Sequence, residues 1–176
     1  MQPFANLRDG GSQLADHLAA QYAMGAATLV PIMPNGVPVA LGIVDSLRSR
    51  TLDRIPIEPL EVIPDKDGIS IEAIPQLHGD PLIVVDDGVE TGTAALAAGR
   101  ALRGALQAQP AGTSPILLLA VPVCPHQALP ELLGVFDAVV AVHRPLARRS
   151  LSWHYVDLDL VDDAGARELL RQAPWD

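Results

Sequence analysis

Apolar positions in this chain gather into short continuous runs rather than alternating with polar ones. Ala27–Ile32, the strand over 81–86, Ile116–Val123 and Ala138–Val142 all read this way. Such runs are the mark of strands buried on both faces of a parallel sheet. Between them the period lengthens. Leu14, Leu18 and Tyr22 are spaced by four, predicting a helix over 12–22 with Ser12 as its N-cap. Val37–Leu47 follows as a helix carrying Pro38 in its first turn, where a missing N–H costs little. Helices are also expected over 91–108, Gln127–Leu133 and Ala164–Gln172, with a linker at Gln109-Pro110-Ala111-Gly112.

Strands alternating with helices predict an α/β fold, a Rossmann-type parallel sheet flanked by helices, as one domain over residues 1–176. The stretch from 51 to 79 breaks the rhythm with prolines at 56, 59, 64 and 75. Its short β-like pieces, Leu60–Ile63 and Ile69–Ile74, flank a polar turn at Asp65-Lys66-Asp67-Gly68. A small flap or hood is expected there.

Composition narrows the function classes. Net charge is −9 and Lys66 is the only lysine, so nucleic acid and anionic membrane surfaces are disfavoured as partners. No run approaches the ~20 apolar residues that span a bilayer. The N-terminus lacks a signal-peptide pattern, and Cys124 stands alone, so neither a disulfide framework nor a cysteine metal site is expected. The expectation is a soluble cytoplasmic protein, with a small molecule as its partner and a homodimer as its assembly. Any anionic ligand must then be held by backbone amides, metal and a few arginines.

The chemistry concentrates where Leu82-Ile-Val-Val85 runs into Asp86-Asp87-Gly88-Val89-Glu90-Thr91-Gly92-Thr93-Ala94. In an open α/β sheet this strand–loop–helix unit sets side chains at the carboxyl end of a strand, where ligands bind. It also sets N–H groups at a helix N-terminus, where phosphate is favoured. Two carboxylates beside a phosphate cradle suit a phosphorylated sugar. The alternative is that Asp86 caps the loop and Asp87-Gly88 is only a turn.

Val84-Val-Asp-Asp-Gly-Val-Glu-Thr-Gly-Thr93 resembles the phosphoribosyl-pyrophosphate (PRPP) motif of the type I phosphoribosyltransferases. The resemblance implies that Asp86 and Asp87 hold the ribose hydroxyls, directly or near Mg²⁺. Residues Glu90–Ala94 would wrap the 5′-phosphate, and Glu90 is a candidate for managing a proton. Phe4, Asn6, Arg8, Asp9, Gly11, Leu14 and Ala15 look like the opening of a bacterial phosphoribosyltransferase-domain family. Gly36-Val-Pro-Val-Ala40, Ala120-Val-Pro-Val123, Tyr155, Asp157, Leu158, Val161 and Asp163 extend the likeness. Met33-Pro34-Asn35-Gly36 stands where the family has its pyrophosphate loop, commonly Pro-Arg-Gly-Gly, and Leu7 where relatives tend to have arginine. Ala94 replaces a usual Thr or Ser. The implied function is Mg²⁺-dependent transfer of phosphoribosyl from PRPP to a nitrogen nucleophile. The alternative is a non-catalytic member that binds PRPP or a nucleotide.

Trp153 and Tyr155 fall where many phosphoribosyltransferases place base-binding aromatics, although both could equally pack under the C-terminal helix. Arg144, Arg148 and Arg149 could meet an anion or form a solvated face. His143 and His126 lie near strand ends with no assigned role, and Cys124 reads as a packed thiol. A methyltransferase reading of Glu90-Thr-Gly-Thr fails for want of glycines before the turn and of an acidic residue after the next strand.

Overall fold

The structure is a computed structural model that describes residues 2–48, 50, 54–66, 68–109 and 114–173. Four strands, β1 (Thr28–Pro31), β4 (Leu82–Val85), β5 (Leu117–Val123) and β6 (Ala138–His143), form a parallel sheet in the order β1-β4-β5-β6. Every residue of β1, β4 and β5 is buried, as the unbroken apolar runs require. Successive side chains leave opposite faces. Ile83, Val85, Leu118 and Ala120 join one core with helices α1 (Leu7–Ala19) and α2 (Gly36–Leu47). Leu82, Val84, Leu117 and Leu119 join a second core under α3 (Thr93–Gln107) and α4 (Leu129–Leu133). Helix α5 (Asp163–Gln172) packs Ala166 against Met33, Val37 and Leu41. No helix among the described residues is long and apolar enough to cross a membrane.

The segment expected as a flap divides into two parts. Residues 57–60 lie along the free edge of β1, with parallel bridges Leu29–Ile57 and Ile32–Leu60. Leu29 donates its N–H to the Pro56 carbonyl at 2.9 Å and Leu60 its N–H to the Pro31 carbonyl at 2.9 Å. Pro56 and Pro59 lack N–H groups, so this fifth strand is broken and tolerable only at an edge. Beyond it, β2 (Ile63–Asp65) and β3 (Gly68–Ser70) form an antiparallel pair. That places strand pairing later than Leu60–Ile63 and earlier than Ile69–Ile74. Ile71, Ile74 and Leu77 instead pack onto the α3 core. Of the polar turn, Asp67 lies outside the described residues, as do Pro110, Ala111 and Gly112 of the linker and residues 51–53.

With the edge segment included, the order is edge-β1-β4-β5-β6. The chain leaves β1 in one direction and β4 in the other. The crevice between the carboxyl ends of β1 and β4 is thus the topological switch point, where open α/β sheets bind ligands. The loop after β1 is residues 33–35, and the loop after β4 begins at Asp86.

Helix α1 begins at Leu7, not at Ser12. The Asn6 side chain accepts the Asp9 N–H at 2.9 Å and supplies the N-cap. Gly10 and Gly11 look like a helix break in sequence but serve close packing. A Cβ on Gly11 would overlap the Val39 carbonyl of α2, and one on Gly42 would overlap the Arg8 carbonyl of α1. Tyr22 lies beyond the helix in a turn.

Candidate functional site

Beyond Val85 the chain turns out of the sheet and is pinned twice. Val89 donates its N–H to the Val123 carbonyl at 2.9 Å, tying the turn to β5. Gly92 then adopts a left-handed conformation with φ of 83° and forms the N-cap of α3, a geometry that costs a side-chain-bearing residue about 1–2 kcal/mol. The first intrahelical bond runs from Leu96 N–H to the Gly92 carbonyl at 2.8 Å. The N–H groups of residues 93–95 therefore have no intrahelical acceptor. These residues line a cavity of about 190 Å³ whose walls are Asp86–Ala95 and Leu151. The Thr91 and Thr93 hydroxyls lie 3.0 Å apart, and the Thr93 N–H points at Thr91 Oγ1 at 3.4 Å. Hydroxyls and amides without intrahelical acceptors at a helix N-terminus make an anion cradle.

The two carboxylates line the same cavity. Asp86 accepts the Asp87 N–H at 2.9 Å. Burial, reinforced by the Asp87 charge, pushes Asp86 well above the usual carboxylate range. Burial also raises Asp87, to about 6, opposed by its hydrogen bond with Asp86 and aided by the Glu90 charge. Charges held this reluctantly favour partners that relieve them, namely sugar hydroxyls or a cation. As donors, Asp86 and Asp87 offer hard oxygens. Among the described residues no group of three or more His, Cys, Asp or Glu side chains converges on a metal position. The set suits a cation shared with a ligand's own oxygens and not one caged by protein alone.

Glu90 and Tyr155 take places that local sequence does not show. The Glu90 carboxylate accepts the Leu151 N–H at 2.7 Å, and the Tyr155 hydroxyl donates to the Asp87 carbonyl at 2.6 Å. Leu151 also fills the space a Cβ on Gly88 would need. Together these contacts fasten the 3-10 turn Leu151–His154 to the 86–90 segment, with Leu151 as one wall of the cavity. Tyr155 is 5% exposed, lies 5.3 Å from the Phe4 ring, and has its hydroxyl pKa raised by burial and by the Asp87 and Asp86 charges. It is a buried strut, a placement that leaves no ring face for stacking a base. Trp153 is 69% exposed, with the Arg149 guanidinium 5.2 Å from its ring centroid.

The loop after β1 takes a different role. Gly36 abuts the Val85 carbonyl, so Met33–Gly36 and Asp86 leave adjacent strands. Yet none of Met33, Pro34, Asn35 and Gly36 lines the 86–95 cavity. Met33 is buried in the α5 core, and the Asn35 side-chain oxygen accepts the Val161 N–H at 2.9 Å. Arg144 donates to the Val139 carbonyl at 2.6 Å, holding it on its own strand. Cys124 is fully buried, and burial lifts its thiol to about 11. The sequence reading missed Leu151 as a wall of the cavity, since nothing local marks one leucine among arginines and serines. It also missed that Glu90 serves a backbone N–H across 61 positions.

No family model matches the chain. Its structure superposes on that of TT1426 from Thermus thermophilus with a TM-score of 0.72 at 19% identity, covering 98% of this chain and 99% of the other. A Neisseria gonorrhoeae protein solved with bound ppGpp gives 0.53 at 14% identity, covering 98% of each chain. The xanthine-guanine-hypoxanthine phosphoribosyltransferase of Helicobacter pylori gives 0.54 at 16%, covering 85% of this chain and 90% of the enzyme. The parallel sheet, the helices on its two faces and these likenesses agree: the chain has a type I phosphoribosyltransferase-like fold.

Proposed function

We propose that the chain binds a ribose 5-phosphate compound, with PRPP the leading candidate, in the cavity between Asp86 and Ala95. The observation that carries this reading is the pairing in one cavity of a helix N-terminal cradle with two carboxylates raised by burial. The N–H groups of residues 93–95 and the Thr91 and Thr93 hydroxyls take the phosphate. Asp86 and Asp87 take the ribose hydroxyls. Where Mg²⁺ is bound, Asp86 and Asp87 are the residues beside it, and it supplies neutralising charge to the ligand's phosphates.

In the catalytic form of the reading, phosphoribosyl passes to a nitrogen nucleophile and pyrophosphate leaves. The protein's part is to hold the ribose still and to face charge developing at the anomeric carbon with the carboxyl groups of Asp86 and Asp87. Glu90, expected to manage a proton, instead holds Leu151 in place through a backbone hydrogen bond. Trp153 remains the candidate for the base side, in a cytoplasmic, homodimeric protein of nucleotide metabolism.

A non-catalytic reading rests on the loop after β1. It carries no basic side chain, and Asn35 is held by Val161. The neighbour solved with bound ppGpp supports a nucleotide as the ligand for that form, beside PRPP. Calorimetry with PRPP and Mg²⁺ against ribose 5-phosphate separates the two. Tighter PRPP binding, with pyrophosphate released on adding a base, is the enzymatic outcome. Equal affinity for both sugars eliminates transfer, and failure of both sugars to bind removes the site assignment.

A further inference from the structure

The Leu151–His154 turn is held from two sides. On one, Glu90 accepts the Leu151 N–H and the Asp87 carbonyl accepts the Tyr155 hydroxyl. On the other lie the N-terminal segment and the end of β6. Phe4 donates its N–H to the His154 carbonyl at 2.8 Å, and Val156 donates its N–H to the Phe4 carbonyl at 2.7 Å. The Phe4 ring stacks on His143 with centroids 4.4 Å apart, and the His143 and His154 rings lie 6.4 Å apart. His143 ends β6 and His154 ends the turn. Two imidazoles thus sit in the seam between the strand, the N-terminal segment and the turn that carries Leu151.

This seam suits neutral rings only. His143 Nδ1 and His154 Nε2 are buried and have no hydrogen-bond partner. A neutral imidazole can leave such an atom without a proton, whereas a charged one bears an N–H at both nitrogens. The charged form of either ring therefore holds a buried donor with no acceptor, which is the costly arrangement. The Phe4 face can attract a charged ring but cannot take that hydrogen bond. Burial first, and then positive charge, hold both rings below the ordinary imidazole pKa: Arg149 acts on His154, and His154 with the chain's amino terminus acts on His143. The other polar groups nearby are engaged. Glu90 is taken by the Leu151 N–H, the Tyr155 hydroxyl by the Asp87 carbonyl, and Arg144 by the Val139 carbonyl.

The geometry points to a proton-operated latch: the His143–His154 pair keeps the turn docked while both rings are neutral, and acid releases it by charging them. Release withdraws Leu151 from the cavity wall. Ligand affinity then falls with pH, a consequence that rests on the sugar-phosphate reading, while the latch itself does not. At about pH 5 an imidazole freed into water, with a pKa of about 6.5, is charged in roughly 30-fold excess. Each ring can thus favour release by up to about 30-fold.

Amide hydrogen exchange followed by NMR on the full chain without ligand tests the latch. Protection factors, which correct for the intrinsic pH dependence of exchange, are read at Leu151, Phe4 and Leu82. The Leu82 N–H, bonded to the Ile116 carbonyl at 2.9 Å, reports on the sheet. From about pH 7.5 to about pH 5, protection at Leu151 and Phe4 should fall at least about tenfold while Leu82 keeps its own. The ring resonances of both histidines should titrate in the same window. His143→Leu with His154→Leu puts apolar groups where unpaired nitrogens lay, and should hold protection at Leu151 within about twofold over that range. Glu90 is intact in that variant, so an acid loss that persists there belongs to the Glu90–Leu151 bond and overturns the latch. An equal loss at Leu82 makes the release global and overturns it too. In the unmodified chain, unchanged protection at Leu151 once both rings are charged overturns it without any variant.

Discussion

Two loops leave the carboxyl edge of the sheet side by side, after β1 and after β4, and they differ in what their polar groups face. After β4, residues 86–95 turn carboxylates, hydroxyls and helix N–H groups toward a cavity. After β1, Met33 is buried and Asn35 is bonded to Val161. Adjacent positions at one switch point thus divide into an arm whose polar groups face a cavity and an arm whose groups are taken up by packing. Topology selects where a site can be, and the side chains decide which arm works.

The sharpest break of this contrast is Asp86→Asn with Asp87→Asn. Ribose 5-phosphate affinity should fall by at least about 100-fold, from two hydrogen bonds to charged groups worth roughly 1.5–3 kcal/mol each. Calorimetry reads this, and an unchanged affinity would end the assigned role of the pair. The same variant should be more stable at pH 7, by on the order of 1–2 kcal/mol, because the Asp87 charge that burial disfavours is gone.

Next comes Thr93→Val, which removes a cradle hydroxyl. A loss of roughly 10-fold in phosphate-ligand affinity is expected, and Ala94→Thr should give a several-fold gain. Opposite signs for the two substitutions locate the phosphate, whereas no response to either places it elsewhere.

A third effect is pH dependence. Both carboxyls bind their protons more tightly in the folded chain. Folding therefore takes up protons between the unfolded value, about 3.9, and the folded value of about 6 for Asp87. The Asp87 contribution is present below that window and is lost as pH rises through it, and the Asp86 contribution has the same sign. His143 and His154, with lowered values, act oppositely: their contribution is lost as pH falls below about 6.5. Chemical denaturation at a series of pH values should show the acidic-side gain shrink in Asp87→Asn and vanish in Asp86→Asn with Asp87→Asn. If it persists there, the raised carboxyls are not its source.

The smallest binding effect belongs to the other arm. Asn35→Ala should destabilise by about 1 kcal/mol through the orphaned Val161 N–H while leaving ribose 5-phosphate affinity within about twofold. A large binding loss here would erase the contrast between the arms.

How far sequence carried depends on the range of each interaction. The buried strands were legible because their whole surface is apolar, and the 86–94 turn because acidic, glycine and hydroxyl residues occur together within nine positions. The edge strand at 57–60 was not, since Pro56 and Pro59 disguise a paired segment as a loop. The start of α1 was hidden because Gly10-Gly11 reads as a break until α2 is seen pressed against it. Glu90 and Tyr155 were assigned chemical roles by position. Their actual partners, Leu151 and Asp87, lie 61 and 68 positions away, beyond any local pattern.

The bonds from Glu90 to Leu151 and from Tyr155 to Asp87 also order events during synthesis. The strand, turn and helix of residues 82–107 emerge long before residue 151, and domains begin to fold from the N-terminal side as the chain is made. Until the segment around Leu151 arrives, the cavity has floor and rim but lacks one wall. A ligand that needs this wall then recognises only chains whose segment around Leu151 has docked. Its binding energy stabilises the assembled fold as a whole, so ligand-dependent protection of nascent chains would report on completion of folding and not on the motif alone.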